Sequence, residues 1–149
     1  MYTHILVPTD GSERSENAVR QAVALAAALG ARVTFLAVTR PLHSIAAEPQ
    51  TVGPMSDEAL AYVHDYMTAD TQAWLDAAKS RAASAGVPCE TRCEEHEHIH
   101  QAIIDTAEGK GCDLVAMASH GRSGLSAIVL GSETVKVLTH STVPVLVYR

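Results

Sequence analysis

Residues 111–134 read GCDLVAMASHGRSGLSAIVLGSET and predict, in order, a strand, a loop and the beginning of a helix. The run LVAMA at 114–118 is continuously apolar and of strand length, as expected of a strand covered on both faces. Polar and glycine residues fill much of the following loop, 119–130, and a helix is then predicted near 132–140. A buried strand that leads through a loop into a helix is typical of a parallel sheet with crossover helices.

The rest of the chain repeats this alternation of strands and helices. Apolar or β-branched runs bounded by turn residues predict four more strands, at 3–9, 32–38, 87–95 and 143–148. Apolar positions at helical spacing predict three more helices, at 13–29, 57–85 and 99–107. Three prolines and a glycine in residues 40–55 predict an irregular connection or short turns there.

The order of these elements decides the fold class. Alternating strands and helices, joined by right-handed crossovers, predict an α/β fold with an open, doubly wound, five-stranded parallel sheet. We predict the strand order 3-2-1-4-5, with segment 87–95 at one edge and helices on both faces. A chain of 149 residues, 47% hydrophobic and 19% charged, fits a single domain over 1–149.

Charge and cysteine content exclude several classes of protein. The net charge is −6 and the basic residues are scattered, so nucleic acid is not an expected partner. No apolar run reaches the roughly 18 residues of a membrane span, and a strand-like segment follows Met1 where a secretion signal would lie, so we expect no membrane association and a cytoplasmic location. Cys89, Cys93 and Cys112 lack C-x-x-C spacing, which argues against a disulfide framework and a structural zinc site.

The predicted strand order selects two loops as a candidate ligand site. In a doubly wound sheet, ligands bind beyond the carboxyl ends of the strands where the strand order reverses, here between strands one and four. Residues 8–11 (PTDG) and 119–124 (SHGRSG) would flank that crevice. Glycine in the second loop lets the backbone approach a bulky anion, and Gly131 and Ser132 open a helix whose first N–H groups favour phosphate.

Polar side chains around this helix would supplement its N–H groups. They are the hydroxyls of Ser119, Ser123, Ser132 and Thr134 and the charges of His120 and Arg122. A plain glycine-containing turn is the alternative interpretation. The chain has no G-x-x-x-x-G-K-[ST] loop and no G-x-G-x-x-G after its first strand, so neither a Walker-type NTPase nor a dinucleotide fold is supported. Residues 121–125 also lack the G-x-S-x-G spacing of a serine hydrolase.

At this stretch the sequence resembles the universal stress protein family, whose ATP-binding signature is G-x2-G-x9-G-[ST]. Gly121, Gly131 and Ser132 match the second glycine and the last two positions. Ala118 replaces the first glycine, and its Cβ is expected to lower affinity modestly or to shift the loop. The resemblance covers almost the whole chain, from HILVPTDGSE at 4–13 to GSETVKVLTHSTVPVLVYR at 131–149.

The resemblance implies an adenine-nucleotide alpha-hydrolase-like fold and a site for ATP, ADP or AMP, with or without Mg²⁺. It implies that Asp10 and Val38 meet the adenosine, Val38 through its backbone, although Asp10 also fits an ordinary turn residue at a helix start. Residues of the signature would serve the phosphates or ribose: Gly121, Gly131, Ser132 and Thr134. The remaining predicted site residues are Pro8, Thr9, Met117, Ala118, Ser119, His120, Arg122, Ser123, Gly124 and Glu133. The family also implies a homodimer through the last strand, with an ordinary edge strand as the alternative.

The sequence contains no evident catalytic base or nucleophile, so we expect a regulatory or stress-resistance role in which bound nucleotide changes a conformation or a partner surface. One alternative is a slow ATP hydrolase in which Asp10 or His120 positions water. Another is a dimeric scaffold that binds no nucleotide. His96, His98 and His100 alternate with glutamates, a pattern that suits a transition metal, but a solvated polar turn is the favoured interpretation and no metal site is predicted.

Overall fold

The computed structural model describes residues 1–47, 53, 55–120 and 130–149. The described strands are β1 (His4–Pro8), β2 (Arg32–Thr39), β3 (Cys89–Glu95), β4 (Leu114–Ala118) and β5 (Val145–Tyr148). The described helices are α1 (Glu13–Leu29), α2 (Leu42–Ala46), α3 (Asp57–Ser84), α4 (Ile99–Gly109) and α5 (Ser132–His140). The five-residue helix α2 lies in the connection for which the sequence predicts irregular structure or short turns.

The strands form one parallel sheet in the order β3-β2-β1-β4-β5. The predicted doubly wound sheet and its strand order are therefore confirmed. The chain runs from β1 to β2 in one direction and from β4 to β5 in the other, so the strand order reverses between β1 and β4. This is the position at which such sheets open a crevice at their carboxyl edge.

Helices cover both faces of the sheet because successive residues of a strand point to opposite sides. Ile5, Val7 and Phe35 lie in a core with residues of α1 and α3. Leu6 and Leu36 lie in a second core with residues of α4 and α5. A strand buried on both faces has no polar side, which explains the continuous apolar runs in the sequence.

Short-range hydrogen bonds define where the helices begin and end. Ser12 caps α1, its side chain accepting from the Ser15 N–H at 3.2 Å, and Ser56 caps α3 by accepting from the Ala59 N–H at 3.2 Å. Gly30 ends α1 in the left-handed conformation, at φ 66°, where glycine has no Cβ penalty. The predicted helices 13–29 and 57–85 are thus confirmed, with α3 ending one residue earlier than predicted.

Helix α3 is longer than the sheet that it covers. At 1.5 Å per residue its 28 residues span about 42 Å, whereas the eight residues of β2 span about 26 Å. Its buried residues, Thr71, Leu75, Ala78 and Ala82, all lie in its second half. Because α3 leads into the amino end of β3, its first half extends past the carboxyl edge of the sheet. None of the described helices, α3 included, is long and apolar enough to cross a membrane.

Candidate functional site

The ends of three neighbouring strands bring the predicted site together at one level of the sheet. Pro8 pairs with Leu36 on β2, so Asp10 and Val38 both lie two residues beyond the last pair. Leu6 pairs with Val115 on β4, and the same register continued along the strands puts Thr9 level with Ala118. Neighbouring strands lie about 4.8 Å apart, so the predicted adenosine residues and the end of β4 border one crevice.

The loop between β1 and α1 is held by hydrogen bonds within itself, to the first turn of α1 and to β2. The Ser15 hydroxyl lies 3.2 Å from the Thr9 hydroxyl and accepts from the Asp10 N–H at 3.3 Å. Oδ1 of Asp10 accepts from the Ser12 N–H at 3.0 Å. The Thr9 N–H donates to the carbonyl of Leu36 at 2.8 Å. These bonds fix where the half-buried Asp10 carboxylate lies beside the crevice.

The start of α5 is attached to the end of β4. The Gly131 N–H donates to the Ser119 carbonyl at 2.8 Å. The Thr134 hydroxyl donates to the carbonyls of Ala118 and Ser119, each at 3.1 Å. A Cβ on Gly131 would stand 3.3 Å from the Ser119 oxygen and from Cα of His120. Glycine is therefore favoured at 131 by the close approach of two backbone segments.

Some hydrogen-bond donors at the start of α5 have partners within the protein, and others do not. The Gly131 N–H and the Thr134 hydroxyl proton both bond within the protein. The N–H groups of Ser132, Glu133 and Thr134 form the first turn of α5, and among the described residues none accepts a hydrogen bond from them. First-turn N–H groups have no intrahelical partner and carry the positive end of the helix dipole. The start of α5 is therefore suited to an anion.

Ala118 departs from the family signature at a position that needs no glycine here. It is the last residue of β4, is 7% exposed, and has ordinary strand backbone. Met117, Ser119 and His120 beside it are also buried, and Nδ1 of His120 lies 3.2 Å from the Ser119 hydroxyl. Pro8 and Val38, at or near the ends of β1 and β2, are half-buried. The predicted Gly121, Arg122, Ser123 and Gly124 lie outside the described residues.

Glu133, another predicted site residue, contacts α4. One of its oxygens accepts from the His100 N–H at 2.8 Å and lies 3.1 Å from Nδ1 of that ring, and the other accepts from Nζ of Lys136 at 2.9 Å. Burial pushes the pKa of Glu133 upward, but these hydrogen bonds outweigh it and hold the pKa below the usual 4.5. The ionised carboxylate therefore joins the starts of α4 and α5.

The histidines after β3 form a surface row. Ring centroids lie 6.1 Å apart for His96 and His98, 6.0 Å for His98 and His100, and 6.3 Å for His100 and His140. Nδ1 of His96 accepts from the His98 N–H at 2.9 Å. Within the described part of the chain, no three His, Cys, Asp or Glu side chains are grouped to hold a metal ion.

Three residues around the site were not predicted from the sequence. Ser15 joins Thr9 to Asp10, and His100 binds Glu133. The indole of Trp74 lies against Gly11, next to Asp10. The apolar stripe of α3 predicts Trp74 only as a core residue, and no local pattern relates it to a loop more than 60 residues earlier.

Comparison with known proteins gives one consistent result. Residues 1–149 match the Universal stress protein family. The chain is 32% identical to the universal stress protein YxiE of Bacillus subtilis over 149 residues, which is 100% of each chain.

Solved structures agree with this match. The universal stress protein UspA from Lactobacillus plantarum has a TM-score of 0.82 and 25% identity, with 99% of this chain and 98% of that chain covered. A universal stress protein in complex with cAMP has a TM-score of 0.71 and 26% identity, with 99% and 97% covered. Both the fold and the sequence are thus similar over the full length.

Proposed function

The chain belongs to the universal stress protein family, and from this premise we propose that it binds an adenine nucleotide, ATP or a shorter relative, at the carboxyl edge between β1 and β4. A relative at 26% identity has been solved with cAMP, which supports an adenine nucleotide as the ligand class. We further propose that binding serves a regulatory or stress-resistance role.

The observation that carries this proposal is the open first turn of α5. Three N–H groups, of Ser132, Glu133 and Thr134, begin the helix directly beside the end of β4. Hydrogen bonds to a charged acceptor contribute about 1.5–3 kcal/mol each, so even two would supply much of the free energy of a micromolar complex. We propose that the phosphates occupy this turn.

The position of Asp10 is compatible with a polyanion in the same crevice. Asp10 follows β1 and is level with Val38 of β2, whereas α5 begins beside β4. A nucleotide with its phosphates at α5 and its adenosine toward β2 keeps the carboxylate away from the phosphate charge and within reach of sugar hydroxyls. Separation matters because like charges repel in proportion to the inverse of their distance.

Local hydrogen bonds favour binding over hydrolysis. Oδ1 of Asp10 accepts from the Ser12 N–H. The His120 ring is 7% exposed and lies beside the Ser119 hydroxyl. A general base must reach the attacking water, and both candidates for that role are held by their own loops. If phosphate is released at all, we expect the rate to be low and unchanged by Asp10→Ala.

A proline substitution tests the role of the α5 N–H groups directly. Ser132 is the first residue of α5, where proline is well tolerated because its fixed φ suits the first turn. Gly131 before it is extended, at φ −62° and ψ 152°, as a residue before proline should be. Ser132→Pro therefore removes one N–H donor and leaves the helix in place, whereas Ser132→Ala removes only the hydroxyl.

Calorimetric titration with ATP and with adenosine measures how each Ser132 variant affects binding of the phosphates and of the nucleoside. Loss of one charge-assisted hydrogen bond should weaken ATP binding to Ser132→Pro by about ten- to a hundredfold. Adenosine affinity should be the same in both variants and in the native protein, and Ser132→Ala should lose less ATP affinity than Ser132→Pro. Unchanged ATP affinity in Ser132→Pro would overturn the phosphate assignment. If the native protein binds no adenine nucleotide and none is released from freshly purified protein, the proposed function is wrong.

We also propose that β5 joins two copies of the chain. Val115 and Ser119 of β4 donate to the carbonyls of Pro144 and Tyr148, so these alternate residues of the last segment face β4. The N–H groups of Val145 and Val147 then point to the open edge of the sheet. Leu146, at 36% exposure, adds an apolar side chain to this edge strand.

Light scattering after size-exclusion chromatography measures whether two copies of the chain associate. Val147→Pro removes an outward N–H and no bond to β4, so the proposal expects a dimer for the native chain and a monomer for the variant. Tyr62→Ala, at an exposed position of α3, serves as a control that should stay dimeric. A native monomer, or a Val147→Pro dimer of unchanged stability, would refute pairing through β5.

A further inference from the structure

The indole of Trp74 packs against Gly11 in the β1–α1 loop. An ideal Cβ built on Gly11 would stand 2.2 Å from both Cε2 and Nε1 of Trp74 and 2.6 Å from Cδ2. The indole therefore occupies the space that any other residue at position 11 would need for its side chain. Gly11 also has φ 74°, a left-handed conformation that suits glycine.

The indole is held in place by the helix that carries it. Thr71, Leu75 and Ala78, at i−3, i+1 and i+4 from Trp74, are all buried against the sheet or its neighbouring helix. Trp74 itself is half-buried. The backbone of α3 is thus packed on both sides of Trp74, and the indole forms a wall against Gly11.

The loop that touches this wall carries Asp10. Asp10 also bonds to Ser12, the cap of α1, and to Ser15 in its first turn. Those bonds fix the loop relative to α1, and Trp74 fixes it relative to α3. A loop confined from two sides loses less conformational freedom when a ligand binds, which raises affinity.

We propose that Trp74 is a positioning residue for the nucleotide site, acting through Gly11 on Asp10 at the adenosine end. This inference rests on the proposed nucleotide function. It assigns to α3 a part in ligand binding that the signature residues at 118–134 do not include. It also makes the indole a reporter of the site, because the chain contains one tryptophan.

Two measurements test the contact and its effect separately. The first is the hydrogen-exchange rate of the Gly11 and Ser12 amides without ligand. These amides should exchange faster in Trp74→Ala than in the native protein, because the indole no longer packs against the loop. Titration calorimetry with adenosine and ATP then compares Trp74→Ala, Trp74→Phe and the exposed-site control Tyr62→Ala, at 73% exposure on the same helix.

Trp74→Ala should bind both ligands about five- to tenfold more weakly, Trp74→Phe should recover most of the loss, and Tyr62→Ala should match the native protein. Native Trp74 emission should also shift on addition of adenosine. Native affinity of a folded Trp74→Ala variant for both ligands would overturn the proposal. If Trp74→Ala unfolds, the native emission decides, since no change in Trp74 emission at saturating adenosine overturns the proposal. A native protein that binds no nucleotide overturns the proposed function instead, and faster exchange in Trp74→Ala would still demonstrate the contact.

Discussion

Replacement of Gly11 by alanine should destabilise the protein for two separable reasons. The backbone at Gly11 has φ 74°, and a Cβ in the left-handed region costs about 1–2 kcal/mol. The same Cβ would stand 2.2 Å from the Trp74 ring, so the indole must rotate or the loop must move. Overpacking of this kind costs about 1–3 kcal/mol. The free energy of unfolding should therefore fall by about 2–5 kcal/mol in total.

Gly86→Ala is the matched control. Gly86 has φ 68°, almost the same backbone conformation, and a Cβ there would meet no atom within 4 Å. The free energy of unfolding of Gly86→Ala should therefore fall only by the backbone cost of a Cβ in the left-handed region, about 1–2 kcal/mol. In a Trp74→Ala background the overpacking at Gly11 disappears, so Gly11→Ala should then cost the same as Gly86→Ala.

Urea denaturation followed by circular dichroism gives each free energy without relying on tryptophan emission. The loss of stability should be larger for Gly11→Ala than for Gly86→Ala, with a coupling of about 1–3 kcal/mol between positions 11 and 74. Equal losses for the two alanine variants, or no coupling with Trp74→Ala, would show that the indole does not press on the loop.

Three further predictions follow from titratable groups whose pKa the fold shifts. Burial lowers the pKa of His4 from 6.5, so the unfolded chain takes up a proton first as the pH falls and stability should decline below about pH 6.5. His4→Gln should lose less stability than the native protein between pH 7.5 and 5.5, and equal losses in urea titrations would contradict this. Glu133→Gln should lower the free energy of unfolding by about 1 kcal/mol at pH 7. The difference should shrink as the pH falls below 4.5, because the unfolded chain then binds a proton before the folded carboxyl does, whose pKa is lowered. Burial raises the pKa of the Cys112 thiol to about 11, so Cys112→Ser should leave the rate of native thiol labelling at pH 8 unchanged, whereas removal of exposed Cys93 should reduce it.

The start of α5 shows what a local sequence pattern can predict and what it cannot. The glycine and serine at 131 and 132 predict a helix start suited to an anion, and the helix begins at Ser132. The same pattern suggests that the Gly131 N–H binds phosphate, but in the fold this N–H bonds to Ser119. Which N–H groups remain available depends on how two segments pack, and local sequence does not contain that information.

Side chains that act across the fold were harder to predict. The sequence predicts Glu133 as one more residue of the nucleotide site, yet in the fold it binds His100 at the start of α4, 33 residues earlier. Trp74 reads as core and lies against Gly11, at the edge of the candidate site. In both cases the partner comes from an element that is distant in sequence, and periodicity describes only which face of its own helix a residue occupies.

The sequence by itself determined the parallel α/β fold, because strands buried on both faces must be apolar throughout and each must be followed by a helix that returns the chain. Given the strand order 3-2-1-4-5, it also predicted the carboxyl edge between β1 and β4 as the candidate ligand site. The alternation of elements alone permits other orders, and the structure confirmed this one. Only the tertiary structure decided which donors are left for that ligand and what confines the loop beside it. Those properties arise from contacts between elements, and a hydrogen bond used in one such contact is no longer available for another.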